Sequence, residues 1–128
     1  MVSGPRGLAI DDQDRVWVLS AQAPQLRRFA ADGKTSEVLV EEVVFEFPHQ
    51  VTLDSKGTAY ISDGYGKCLW KLAPGGKPEK WVQNGPLSNP IGIRFVKEHV
   101  LLIDPRAPGL FQADVAGKLT KLFPPEKP

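Results

Sequence analysis

The chain has 128 residues, 16 basic and 15 acidic side chains, two histidines and a net charge of +1. No lysine or arginine run exceeds two residues, so there is neither the basic footprint of a nucleic-acid binder nor a membrane-surface patch. One cysteine excludes an internal disulfide framework, no apolar stretch approaches 18 residues, and no basic-then-apolar leader is visible; we expect an intracellular, cytoplasmic protein with no membrane partner, a reading that an exported chain stripped of its leader would share.

The first patterned segment is Pro5-Arg6-Gly7-Leu8-Ala9-Ile10, followed by Asp11 and a polar turn, Asp12 to Arg15. A second apolar run, Val16 to Ser20, comes next. Leu26 opens a third, Gly33-Lys34 marks a turn, and Val38-Leu39-Val40 form a fourth. At Pro48 the pattern starts again with Pro48-His49-Gln50-Val51-Thr52-Leu53 and Asp54, then a turn from Ser55 to Thr58. Ala59 to Asp63, a run opened by Leu69, the pair Gly76-Lys77 and Trp81-Val82 complete it. The third start is Pro90-Ile91-Gly92-Ile93-Arg94-Phe95. Here Val96 replaces the aspartate, and the turn Lys97-Glu98-His99 is one residue shorter. Val100 to Asp104, a run from Leu110, Gly117-Lys118 and Leu122-Phe123 follow.

The runs are short and rich in β-branched, aliphatic and aromatic residues, and Gly and Pro, 12 of each, fall between them. No segment sustains apolar residues at i, i+3, i+4 and i+7 over a helical length. Each repeat therefore predicts four strands, A to D. Four strands in about 42 residues, repeated, is the arithmetic of a β-propeller blade. The expected fold is all-β, with three four-stranded antiparallel blades at 1–46, 47–88 and 89–123 and a flexible proline-rich tail at 124–128.

The Pro-x-Gly-apolar-x-apolar-Asp start, the polar turn, the apolar-Tyr/Trp-apolar-x-Asp run and the Gly-rich loop resemble the NHL repeat. They are also similar to the six-bladed lactonases of the regucalcin/gluconolactonase type and to strictosidine-synthase-like proteins. The resemblance runs from Gly4 to Phe123 and is best from Phe47 to Lys77, where Asp54, Gly57, Tyr60, Asp63 and Gly64 all fit. It implies blades around a central channel, and propellers usually carry four to eight of them. Three blades leave two apolar blade faces open, and such faces drive association. The expected partner is a second copy, closing a six-bladed ring about a two-fold axis; the alternative is a piece of a longer propeller.

In propellers of this type the D–A and B–C loops share one mouth of the channel. That points to Arg6, His49 and Ile91, the second residue of each repeat, and to the loops after strand B. The candidate ligand-binding residues are Arg6, His49, Asp63, Tyr65, Asp104 and Arg106. The lactonase resemblance implies a divalent metal held by channel-mouth oxygens, but Arg6, His49 and Ile91 offer no carboxylate or amide there, so no metal, cofactor or catalytic residue is expected. Asp63 and Asp104 have a second reading, as acceptors for backbone N–H groups of their own B–C loops. Tyr65, between Gly64 and Gly66, reads as a loop-tip stacking residue, Trp17, Tyr60 and Leu101 as inter-blade packing, and Cys68 as an inert thiol. No Gly-x-Ser-x-Gly, zinc spacing or phosphate loop is present. The functional expectation is a dimerising half-propeller that binds a small ligand, anions included, or a protein at the mouth; the alternatives are a lactonase- or esterase-type hydrolase and a structural half-propeller or piece of a longer propeller.

Overall fold

The computed structural model describes residues 4–83, 85–107 and 109–124. The proposed tail at 124–128 lies, apart from Pro124, outside the described residues. Three antiparallel sheets form in chain order. The first contains β1 (Pro5–Ile10), β2 (Val16–Ser20), β3 (Leu26–Phe29) and β4 (Ser36–Val40). The second contains β5 (Pro48–Leu53), β6 (Ala59–Asp63), β7 (Cys68–Leu72) and β8 (Glu79–Val82). The third contains β9 (Ile93–Val96), β10 (His99–Ile103), β11 (Leu110–Ala113) and β12 (Leu119–Phe123). No helix occurs among the described residues. The strands are short because local chemistry stops them: a polar turn after each first strand, a glycine with positive φ in several hairpins.

The three first strands, β1, β5 and β9, lie side by side and form the inner edge of the arc. Gly7 allows this approach: a Cβ there would sit 2.9 Å from the carbonyl oxygen of His49. Strand alternation sends the two faces of each sheet to different neighbours. One core packs the first sheet on the second, with Trp17, Leu19, Leu26 and Val40 against Val51, Ala59, Ile61 and Leu72. Phe45, fully buried on the linker between the sheets, plugs it and meets Trp70 edge-on at 5.4 Å. The other core packs the second sheet on the third, with Tyr60, Leu69, Val82 and Leu87 against Ile93, Val100, Leu102, Phe111 and Ala113. Every residue of β6 is buried because it serves both cores. Trp17 and Tyr60 are inter-blade packing residues as expected, whereas Leu101 lies in register on the outer face of the third sheet, where no further sheet covers it.

The turns between first and second strands are built in two ways. Asp11 accepts the N–H groups of Gln13 and Arg15, Arg15 Nε at 2.8 Å and Trp17 Nε1 at 3.0 Å. Burial works against its charge, but these donors outweigh it and hold the carboxyl at about 2. Asp54 repeats the motif with Lys56 N, Thr58 N and the Tyr60 hydroxyl. Burial and the adjacent Asp54 push that hydroxyl up to about 12. The third blade has no aspartate because it makes a different turn. Val96 pairs with His99 across Lys97 (φ 46°) and Glu98 (φ 70°), a two-residue hairpin of the type that favours Asn-Gly.

Two outcomes follow. Glu98→Gly relieves the left-handed strain and should stabilise the chain by about 0.5–1 kcal/mol in urea unfolding. The Asp11 carboxyl is lowered on folding, so its contribution is complete above pH 3.8 and is lost as pH falls through about 2. Asp11→Asn should flatten that part of the acid-unfolding profile.

Candidate functional site

The mouth of the arc is assembled by buried polar side chains at the ends of the second strands. Asp63 is fully buried. Its carboxylate accepts the N–H groups of Glu46 and Phe47 on the incoming linker, each at 2.9 Å, with Gly66 N at 3.0 Å and Trp70 Nε1 at 3.0 Å. Asp104 does the same one blade on, accepting Ser88 N and Asn89 N from its linker and Arg106 N and Ala107 N from its loop. The B–C-loop hydrogen bonds expected of both residues are present, and the linker hydrogen bonds come in addition. Both carboxylates are thus spent, Asp104 on four backbone N–H groups and Asp63 on three and the Trp70 indole N–H. They set the shape of the mouth and offer little to a ligand.

The first blade has Ser20 at that position, and the linker after it is held from the other side. Buried Gln25 accepts Val44 N and Phe45 N through Oε1 and donates through Nε2 to the carbonyls of Ala21 and Phe45. Nothing in the repeat register points to Gln25, because the matching positions hold Cys68 and Gly109.

Pinning Glu46 and Phe47 places the next residues. The Phe47 ring lies 4.9 Å from the His49 ring and 4.7 Å from the Tyr65 ring. The Arg6 guanidinium sits over Phe47, 4.1 Å from its centroid. Arg6 joins no ion pair among the described residues. His49 closes over Gly64 together with Asn89, and a Cβ on Gly64 would come 2.7 Å from His49 Nε2. Burial lowers the His49 pKa and the Arg6 charge lowers it further, while Asn89 and Asp63 pull the other way. The imidazole is therefore neutral at neutral pH, able to donate from one nitrogen and accept at the other. Tyr65 is exposed, with its ring resting on Phe47.

Of the six residues singled out in sequence, the structure brings Arg6, His49 and Tyr65 together. Asp63 and Asp104 lie beneath them as supports. Arg106 contributes its backbone N–H to Asp104, and its exposed side chain joins no ion pair among the described residues. Sequence reasoning missed Phe47 and Asn89. Both immediately precede the repeat proline, where the first blade has Gly4, so the register held the signal. The geometry is a ladder: the residue before proline in one blade meets the residue after proline in the blade before it, Phe47 with Arg6 and Asn89 with His49. Cys68 is fully buried, and burial, with Asp63, pushes its thiol up to about 12, which leaves it unreactive.

No family model and no curated protein matches the chain. Solved structures do. A catalytically inactive virginiamycin B lyase from Staphylococcus aureus, crystallised with quinupristin, superposes with a TM-score of 0.74 at 17% identity, over 96% of this chain and 42% of that one. A chain of a nidogen/laminin complex gives 0.79 at 18% identity, over 91% and 47%. A putative gluconolactonase gives 0.72 at 18% identity, over 92% and 48%. These neighbours are β-propellers. The protein is thus of the β-propeller class by fold, and it spans less than half the length of each of these structures.

The division between support and surface is measurable. Asp63→Ala strands four donors and should cost about 3 kcal/mol or more in denaturant unfolding. Tyr65→Ala, exposed at a loop tip, should cost less than about 0.5 kcal/mol.

Proposed function

We propose that the protein is a non-catalytic propeller module that binds a small anion at the channel mouth, a carboxylate carried on a flat ring. The observation that carries this reading is the stack of Arg6 on Phe47, with His49 and Tyr65 on the same ring and no carboxylate paired with the guanidinium among the described residues. An arginine held on an aromatic face keeps its N–H edge free and pre-oriented for a planar acid. Neutral His49 adds one donor, and Tyr65 and Phe47 supply apolar surface for the ligand's ring.

The donor set does not suit a metal-dependent hydrolase. A hard cation wants several oxygen ligands, and the mouth carboxylates Asp63 and Asp104 already accept four N–H donors each. No group of three His, Cys, Asp or Glu side chains is placed to hold a metal among the described residues.

Calorimetric titration with benzoate, acetate and benzyl alcohol is the test. Benzoate should bind, acetate more weakly because it lacks the ring, and benzyl alcohol not at all because it lacks the charge. Arg6→Gln should weaken benzoate about 10-fold or more with an unchanged melting temperature. Equal heats for benzoate and benzyl alcohol, or an Arg6→Gln variant that binds as well as the parent, would overturn the reading.

A further inference from the structure

The chain contains two blade-to-blade junctions, and both use the same repeat positions. On the outgoing side these are Trp17, Leu19, Leu26 and Val40 in the first blade and Tyr60, Ser62, Leu69 and Val82 in the second. On the incoming side they are Val51, Ala59, Ile61 and Leu72 in the second blade and Ile93, Val100, Leu102 and Ala113 in the third. All are buried.

One set of each kind is left over. The outgoing face of the third blade carries Leu101, Ile103, Leu110 and Phe123. The incoming face of the first carries Leu8, Val16, Val18 and Phe29, with Ile10 beside them. The repeat register makes the two sets of four the counterparts of the buried sets, yet Leu8 is 60% exposed, Ile103 47% and Phe123 67%, with Ile10 beside them at 61%. Exposed apolar area of this kind on two faces of a small chain is a binding surface. The third blade also offers a groove of about 260 Å³ between Gly92, Leu101, Ile103 and Leu110, rimmed by Gln50 and Arg94. Its apolar walls lie at the positions that receive Val51 and Ile61 at the first junction, and Leu8 and Val18 are the first-blade residues in that register.

We propose that the two leftover faces are the halves of a third junction, and that a second copy of this chain covers both. Three blades of a six-bladed ring turn through half a circle, so a two-fold axis along the channel sets each third blade against the first blade of the partner subunit. Both halves of the junction then come from one sequence and are used twice, and the ring closes. A net charge of +1 puts little repulsion between copies. The same operation continues the mouth ladder. Arg6 meets Phe47, His49 meets Asn89, and Ile91 meets Gly4 of the partner subunit, so each mouth is bounded by two chains. The junction stands on the open faces and does not depend on the anion reading: particle mass reports one and ligand heat the other.

Light scattering of the 128-residue chain at micromolar concentration should give twice 14.0 kDa. Leu8→Asp and Ile103→Asp, on opposite halves of the junction, should each raise the dimer dissociation constant about 30-fold or more. Because an open-faced variant could instead unfold, a second experiment uses Leu8→Cys with Ile103→Cys and a short bismaleimide. The two positions lie on opposite open faces of one chain. The double variant should therefore give a covalent dimer, and each single variant should not. A monomeric parent overturns the proposal. So does a dimer indifferent to both aspartates, a ladder of open oligomers, or a double variant that fails to cross-link.

Discussion

The architecture depends on one interaction: a buried carboxylate at the end of a blade's second strand that accepts paired N–H groups from the linker entering that blade. Asp63 and Asp104 make it, each with four donors. A carboxylate is acceptor-only with room for about four hydrogen bonds, so one buried charge can satisfy a whole bend of backbone that no strand reaches. Without it the linker would carry orphan donors into a dry interior. With it, the linker is held at fixed height against the second strand, and the first strand must start beside it.

What the clamp fixes is then used twice. Toward the outside, Phe45 is driven into the core between the first two blades and Leu87 into the core between the second and third. Toward the mouth, Phe47 and Asn89 are presented to the blade before. The mouth surface and the blade packing are two consequences of one constraint. The carboxylates used for structure leave the Phe47 cluster with Arg6 as its charged side chain among the described residues, beside neutral His49, Asn89 and the Tyr65 phenol. The electrostatic character of the site therefore follows from where the carboxylates are spent, more than from how many the chain contains.

The repeats are equivalent in outline and individual in chemistry. The first two blades close their inner hairpins with an aspartate that collects backbone donors and an aromatic partner, and the third does so with a left-handed pair. The first linker is held by Gln25 as well as Asp63. Each solution holds an equivalent bend through its own set of backbone groups, which is why the blade survives the loss of the residue that marks its repeat.

By itself the sequence determined the blade. Strand number, order and turn positions are local properties, set by period-two alternation, by turn glycines and by aspartates whose donors lie two and four residues away. Arg6, His49 and Tyr65 were legible as mouth residues for the same reason, since register alone assigns their height. Only the tertiary structure decided the rest. The partners of Asp63 on the linker are 16 and 17 residues distant and those of Gln25 are 19 and 20. Phe47 meets Arg6 from the next repeat. No pattern in a linear chain says which lone pairs are already taken or which rings touch across blades, because those facts arise when separate sheets pack and water leaves between them.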